Sequence, residues 1–435
     1  MGVDSFESMM YQMRNVRKNG PYKGLFDKYV WEMEKWSSDG SMPKSISRNL
    51  KYSLEMMAER RKEQNIQIVT KYEKIQDRDV MSVEYPEKNY KNMMYYQAMD
   101  AYKTIFHNGK EIKKKKDSEV VYTNVTDVNS YQEVYEEVYN CPNCGAVVKV
   151  KELENGCSYC GTKFKLPDLF PKITSYYALE TVDSKKVEIK YKLSMFVGIC
   201  IMEGVMIYNS RGSLDSMKNY PLFAKVLAML FYVGVAAFAG AFLGMMIYGM
   251  CLLFKVVYEA GRSMSLLANV KGSKKKLEER MRKVESDFSY EYFESKLISM
   301  LQMLLFSDNP RMLSIYQGNA GLEECKNIIE MAYTGAMGFR KFKVKNGIAF
   351  VSMEIFLTNT RLKKDKLKEK DEAYFMTVAR RIQPYYRDGF EITKVKCHHC
   401  GGSFDAMKIK KCPYCNNEYY MVDDDWVVTE LRKSR

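Results

Sequence analysis

The chain has 435 residues, of which 46% are hydrophobic and 28% are charged, so it is long enough for two or three domains. Its net charge is +14, and the surplus is densest beside one long apolar segment. We find no phosphate-binding glycine loop, no dinucleotide-binding glycine pattern, no Ser/His/Asp order and no His-Glu-x-x-His motif, which argues against the enzyme classes that these motifs mark.

Residues 1–65 are predicted to form a helical N-terminal region. Apolar residues recur at helical spacing in Phe6–Met13, in Phe26–Met33 and in Ile46–Met57. We expect these helices to form a small bundle that closes its own core. The alternative is an exposed groove for a partner.

Residues 66–140 are rich in tyrosine and in charge, and we interpret them as a linker with small strands. Glu119–Val125 and Tyr131–Tyr139 alternate enough in polarity to be two such strands. The row Lys113–Lys116 is typical of a solvated surface, although a phosphate-binding role is the alternative.

Eight of the eleven cysteines form four Cys-x-x-Cys pairs, which are grouped as two similar units at 141–172 and 397–415. Each unit can place four thiolates about 2.3 Å from one zinc ion. Such a closed site is structural, because no coordination position is left for a substrate. We therefore predict two structural Zn²⁺ ions with the ligands Cys141, Cys144, Cys157, Cys160, Cys397, Cys400, Cys412 and Cys415. We interpret His398 and His399 as loop residues.

The segment Val226–Phe254 has 29 residues without a charge. As a helix it would be about 44 Å long, which is more than a bilayer core of roughly 30 Å requires. Leu193–Ser210 is a second apolar segment, interrupted by Glu203, whose carboxyl we expect to serve in packing or pairing. We predict a transmembrane hairpin at 193–257, with helices at 193–210 and 225–255.

Lysine and arginine residues flank both ends of this hairpin, whereas the connector contains only Arg211 and Lys218. The positive-inside rule therefore predicts a two-helix protein of the cell membrane with both terminal domains in the cytoplasm, near anionic lipid. Ala236, Gly240 and Gly244 lie four residues apart, a spacing that permits close helix packing and suggests a homo-oligomer through that face.

Residues 280–435 are predicted to form a domain in which helices precede strands. Ser289 or Asp287 can cap a helix, a further helix is expected from Ala320 to Gly335, and Asn346-Gly347 is a hairpin turn between strands. The predicted fold class is thus α+β, with helices packed on a curved antiparallel sheet.

This order resembles the Tim-forty-four-like domain family, and the added zinc ribbons resemble its bacterial, membrane-anchored members. The resemblance is limited to the C-terminal third and is carried by Asp287-Phe288-Ser289, Phe293, Phe306-Ser307-Asp308, Ala373–Arg380 and Trp426. It implies a cone-like domain with a cavity between helices and sheet, and association with membranes and proteins rather than a reaction. The membrane hairpin, the zinc units and the N-terminal half depart from the mitochondrial member, so a translocation role does not carry over.

We therefore predict a non-enzymatic, membrane-anchored cytoplasmic adaptor for a protein or lipid partner, with protein transport as one option. The first alternative is an enzyme or small-ligand binder that uses the cavity, with Tyr374, Glu354 and Arg380 as candidate lining residues. The second is binding of nucleic acid or a transcription complex by the zinc ribbons. We see no arginine-rich arm or aromatic RNA-binding signature that favours the latter.

Overall fold

The computed structural model describes residues 16–76, 78–86, 90–128, 135–136, 138–141, 143–164, 170–180, 184–216, 221–270, 272–286, 288–319, 322–363, 366–382, 394–397, 399–407, 409–423 and 425–434. The predicted helix at Phe6–Met13 lies outside these residues. The described residues form seven α-helices: α1 Lys23–Asp39, α2 Arg48–Glu63, α3 Val150–Asn155, α4 Ser184–Ser216, α5 Leu222–Val270, α6 Ser273–Met281 and α7 Tyr290–Phe306.

The same residues form fourteen strands. These are β1 Val16–Lys18, β2 Ile66–Lys74, β3 Met81–Pro86, β4 Tyr90–His107, β5 Lys110–Val128, β6 Val138–Asn140, β7 Val147–Lys149, β8 Lys172–Glu180, β9 Ile328–Lys345, β10 Ile348–Lys363, β11 Lys366–Arg381, β12 Lys394–Lys396, β13 Ser403–Asp405 and β14 Val427–Lys433. The predicted α+β class is confirmed, and both larger sheets are antiparallel.

The chain divides into two compact units. The first, which we call the core unit, comprises residues 1–181 and 269–435; the second, which we call the hairpin unit, comprises residues 182–268. The hairpin unit is therefore inserted into the sequence of the core unit.

A six-stranded sheet in the order β1-β3-β4-β5-β8, with β2 also paired to β4, occupies the N-terminal half of the core unit. Residues 66–128, which we predicted to be a charged linker with small strands, form four of its strands. The long strands β4 and β5 are joined by Asn108 and Gly109, whose positive φ angles of 51° and 76° suit a tight hairpin turn. The row Lys113–Lys116 lies within β5.

A four-stranded sheet in the order β14-β11-β10-β9 occupies the C-terminal half. The predicted turn at Asn346-Gly347 is confirmed, with φ angles of 53° and 73°. The predicted cap of α7 is also confirmed, because the Ser289 hydroxyl accepts a hydrogen bond from the N–H of Tyr292. The predicted helix from Ala320 to Gly335 is wrong, since β9 begins at Ile328.

The N-terminal helices do not form a bundle with a core of their own. Phe26 and Tyr29 of α1, Leu54 of α2, and Phe293 and Leu297 of α7 belong to one cluster of buried side chains, which also includes residues of both sheets. The regions predicted as 1–65 and 280–435 therefore share a single hydrophobic core.

The hairpin unit consists of α4 and α5, both longer than the predicted helices. Cβ atoms built on Gly198, Gly240 and Gly244 would overlap backbone of the facing helix, so these glycines permit the close approach of α4 and α5. The Ser194 hydroxyl of α4 donates a hydrogen bond of 3.0 Å to the carbonyl oxygen of Gly244. The face that we predicted for a homo-oligomer is thus packed against α4 of the same chain.

Candidate metal centres

The first cysteine cluster is built from two tight turns that follow short elements. Cys141 comes directly after β6, and Cys157 follows α3. In each turn the glycine N–H donates a hydrogen bond of 2.8 Å to the carbonyl oxygen of the first cysteine. Gly145 donates to Cys141, and Gly161 donates to Cys157. Gly145 and Gly161 have positive φ angles of 72° and 69°, which glycine adopts without a steric cost. This backbone places the two cysteines of each pair on one side of the turn.

The second cluster repeats this construction. Gly401 has a φ angle of 72° and donates to the carbonyl of Cys397, and Asn416 has a φ angle of 61° and donates to the carbonyl of Cys412. Asparagine is the residue that most readily replaces glycine in the left-handed region. The fourth pair therefore lacks the glycine of the other three without losing the turn.

The sulfur positions fit a metal and not disulfides. In the first cluster, the sulfur of Cys141 lies 3.6 Å from that of Cys160, and the sulfur of Cys144 lies 3.7 Å from that of Cys157. In the second cluster, Cys397 lies 3.6 Å from Cys415, and Cys400 lies 3.6 Å from Cys412. Four sulfurs about 2.3 Å from one ion would be about 3.8 Å apart, whereas a disulfide needs about 2.05 Å. All four sulfurs of each group lie within 4.8 Å of one another, so each can hold one metal ion.

One thiol in each cluster is predisposed to ionise. The hydroxyl of Thr162 lies 3.4 Å from the sulfur of Cys160 and, with the Thr162 backbone N–H, lowers the pKa of that thiol to about 6. In the second cluster, the backbone N–H of Cys400 lowers the pKa of Cys397 to about 6. Burial raises the pKa of Cys144 to about 12, and, despite a backbone hydrogen bond that opposes them, the neighbouring thiols raise the pKa of Cys415 to about 12. Metal ligation requires the thiolate, so one thiol of each cluster is ready to ligate, whereas Cys144 and Cys415 need the charge of an ion to lose their protons.

The two clusters are neighbours within the core unit. The hydroxyl of Ser403, which begins β13, donates a hydrogen bond to the carbonyl oxygen of Cys144. The second cluster is further held by Tyr52 of α2, whose hydroxyl donates to Asp405, and by Ser314, whose hydroxyl donates 2.7 Å to the carbonyl of Ile409. The first cluster has a small hydrophobic core of its own, whereas the second shares the main core.

The other candidate residues lie elsewhere. His399 is exposed and belongs to neither cluster, and His398 lies outside the described residues. Tyr374 donates 2.9 Å to Glu372, Glu354 pairs with Arg340, and Arg380 pairs with Glu285 and stacks on Trp426. These three predicted lining residues are thus engaged in other contacts and do not line the cavity described below.

Two exposed tyrosines occupy equivalent positions in the clusters and were missed from the sequence. Tyr159 and Tyr414 each precede the last cysteine of their unit, and they are 64% and 69% exposed. The shared Tyr-Cys ending of the two units was the available signal. Comparison of the chain with protein-family models, with curated proteins and with solved structures finds no match.

Proposed function

We propose that this protein is a membrane-anchored adaptor in which α4 and α5 cross the bilayer and the core unit binds a partner. The observation that carries the proposal is the exposed apolar surface of these helices. Ile189–Asn209 and Leu222–Cys251 are long and apolar enough to cross a membrane, yet only 6% and 11% of their most apolar windows are buried. Exposed apolar surface costs about 25 cal/mol per Å² in water, and hydrocarbon removes that cost.

The insertion of the hairpin unit supports two crossings. Residues before and after it share one core, so both halves of the core unit must lie on the same side of the membrane. An even number of crossings meets this condition. The lysines at 185, 186, 190 and 192, with the basic residues after 254, favour the cytoplasmic side.

Zinc is the ion that best suits both clusters. Four thiolates in a closed tetrahedral arrangement are typical of structural zinc sites, and cytoplasmic reducing conditions keep the thiols available. The Zn²⁺ ions would hold the turns together and supply folding free energy, without an open position for catalysis.

The partner surface that we favour is the pair of exposed tyrosines beside the metal clusters, because exposed aromatic side chains are enriched where proteins bind each other. The link to the Tim-forty-four-like family and to protein transport stays a prediction. A photo-crosslinking amino acid at Tyr159 or Tyr414, in native membranes, should give the same protein adducts from both positions. The same amino acid at Trp31, 54% exposed on α1, is the matched control. If neither tyrosine position yields a reproducible adduct that Trp31 lacks, the adaptor surface is elsewhere and the proposal fails.

Sidedness is tested separately with one added cysteine at a time, at Ser213 near the C-terminal end of α4 or at Lys114 exposed on β5, and labelling is compared with that of the unaltered chain. A maleimide that cannot cross membranes should label Ser213→Cys in intact cells and Lys114→Cys only after permeabilisation. Labelling of both positions in intact cells, or of Lys114→Cys alone, would reject the proposed orientation.

A further inference from the structure

A cavity of about 150 Å³ lies inside the core unit, between α1, α2, α7 and strands of both large sheets. One wall is apolar and is formed by Met33, Leu50, Leu54, Met57 and Tyr176. Cavities of this size take a molecule as large as a single six-membered ring. The volume alone therefore admits a small organic ligand but not a lipid or a nucleotide.

The charged residues that line the cavity are three lysines, three glutamates and one arginine. Each lysine is compensated by at least one carboxylate. The pairs are Lys103 with Glu119 at 2.8 Å and with Glu330 at 3.7 Å, Lys113 with Glu369 at 3.0 Å, and Lys115 with Asp117 at 2.9 Å. With Arg61 the cations number four, and with Asp117 the carboxylates also number four, so the charges of this region are balanced.

Arg61 is the lining cation without a salt bridge within the described part of the chain. Its Nε donates 3.0 Å to the carbonyl of Ile329, and its guanidinium lies 5.2 Å from the ring centroid of Trp36. Burial lowers the pKa of Arg61, and the charge of Glu330 opposes this effect. The guanidinium Nη atoms therefore have donor capacity that no described acceptor uses.

Two neutral lining side chains are also unsatisfied. The indole Nε1 of Trp36 and the amide Oε1 of Gln302 are buried and have no hydrogen-bond partner among the described residues, and each residue is 7% exposed. The unpaired indole donor of Trp36 costs about 1–3 kcal/mol, which a bound acceptor would recover. The amide oxygen of Gln302 is itself an acceptor and offers a carboxylate no hydrogen bond. A guanidinium with unused donors, an indole N–H and an apolar wall thus line one cavity.

We propose that this cavity binds a small organic carboxylate with an apolar body about the size of one ring. Arg61 offers two N–H groups in the planar arrangement that matches a carboxylate, and the indole N–H of Trp36 adds a neutral donor. The methionines and leucines of the wall pack against the apolar body. This site is independent of the adaptor surface and of both metal clusters.

Benzoate tests the proposal, with benzamide as a neutral probe of the same shape, toluene as an apolar probe and inorganic phosphate as an anion without an apolar body. The full chain in lipid nanodiscs is titrated by calorimetry and by ligand-observed NMR. Benzoate should bind saturably and about 10-fold more tightly than benzamide, because hydrogen bonds to a charged acceptor are the stronger ones. Equal or tighter binding of benzamide or toluene, binding of phosphate alone, or no saturable binding at all would overturn the proposal.

Variants locate the site. Arg61→Gln should weaken benzoate binding at least about 10-fold and Trp36→Phe about 5-fold. The matched controls are Lys51→Gln, which removes an exposed cation from α2, and Trp31→Phe, which removes an exposed indole from α1; both should leave binding unchanged. Equal losses in variants and controls would reject the site. If Arg61→Gln does not fold, Trp36→Phe and the probe comparison on the unaltered chain still decide the outcome.

Discussion

The Nη2 atom of Arg60 donates a hydrogen bond of 3.1 Å to the carbonyl oxygen of Phe306, the last residue of α7. The same guanidinium donates a hydrogen bond of 3.0 Å to the carbonyl oxygen of Cys325 and one of 3.1 Å to the carboxylate of Asp308. A helix end leaves carbonyls without partners, and Arg60 supplies donors to them from a helix that is 246 residues away in sequence. This side chain, only 2% exposed, joins the two halves of the core unit.

We expect Arg60→Leu to destabilise the core unit by about 3–5 kcal/mol, because the buried carbonyls of Phe306 and Cys325 lose their donors. Lys51→Leu, at an exposed position of the same helix, should change stability by less than about 0.5 kcal/mol. Denaturant unfolding of the two variants measures the difference. Similar effects of both substitutions would show that Arg60 does not connect the halves.

We expect the purified protein to contain two metal ions per chain, as measured by elemental mass spectrometry. Cys157→Ser and Cys412→Ser should each lower this number to one, whereas Cys325→Ser, a buried cysteine outside both clusters, should keep two. Cys412→Ser should also lower the unfolding temperature more than Cys157→Ser does, since the second cluster shares the main core. Two equivalents in either cluster variant, or disulfides in the purified chain, would contradict the assignment.

Gly240→Val should weaken the packing of α4 on α5, because the new side chain would meet the backbone of Ile199, which cannot rotate away. Gly249→Val is the matched control, since no atom lies within 4 Å of its added Cβ. Crosslinking between cysteines placed on the two helices reports the packing in membranes. Equal crosslinking in both variants would count against this arrangement of the hairpin unit.

Glu294 should make stability depend on pH. Burial raises the pKa of its carboxyl to about 7, against the opposing effect of a 2.7 Å hydrogen bond from the Tyr333 hydroxyl. The folded state therefore holds this proton more tightly than the unfolded chain, whose glutamate pKa is about 4.3. Stability from this group is present below that value and is lost as the pH rises to 7.

Relative to the unaltered chain, Glu294→Gln should consequently raise the free energy of unfolding by on the order of 2 kcal/mol at pH 8 and by much less at pH 5. Glu279→Gln, at an exposed position of α6, should show no such difference. The comparison requires unfolding curves of both variants at the two pH values. A gain at pH 5 as large as that at pH 8 would refute the assignment.

Elements with a complete local signal could be predicted from the sequence. Such signals extend over only a few residues of the chain. Examples are the Ser289 hydroxyl that caps α7, the turn at Asn346-Gly347 and the paired cysteines. Asn108-Gly109 carries the same turn signal, but the charged row that follows suggested a linker. The first part of strand β9, up to Gly335, was mistaken for a helix because Ile328 and Ile329 are both buried, which hides the alternation of a strand.

The shared core and the cavity could not be predicted in this way. Trp36 and Arg61 lie on the consecutive helices α1 and α2, whereas Gln302 lies on α7 in the other half of the core unit, and their proximity follows from tertiary packing. Helical spacing identified the apolar face of each N-terminal helix but not its partner. Pairing of such faces is set by long-range contacts, which a single sequence does not reveal.

The insertion of the hairpin unit between the two halves of the core unit has a consequence for biosynthesis. When α4 and α5 leave the ribosome, the N-terminal half has no Phe306 carbonyl for Arg60 and no α7 against which to pack. At about 5–20 residues per second, the residues from 271 to 435 take on the order of 10–30 s to be synthesised. If α4 and α5 enter the bilayer as proposed, they would do so before the fold of the core unit is complete, and the exposed hydrophobic surface of the N-terminal half would need protection by chaperones at the membrane.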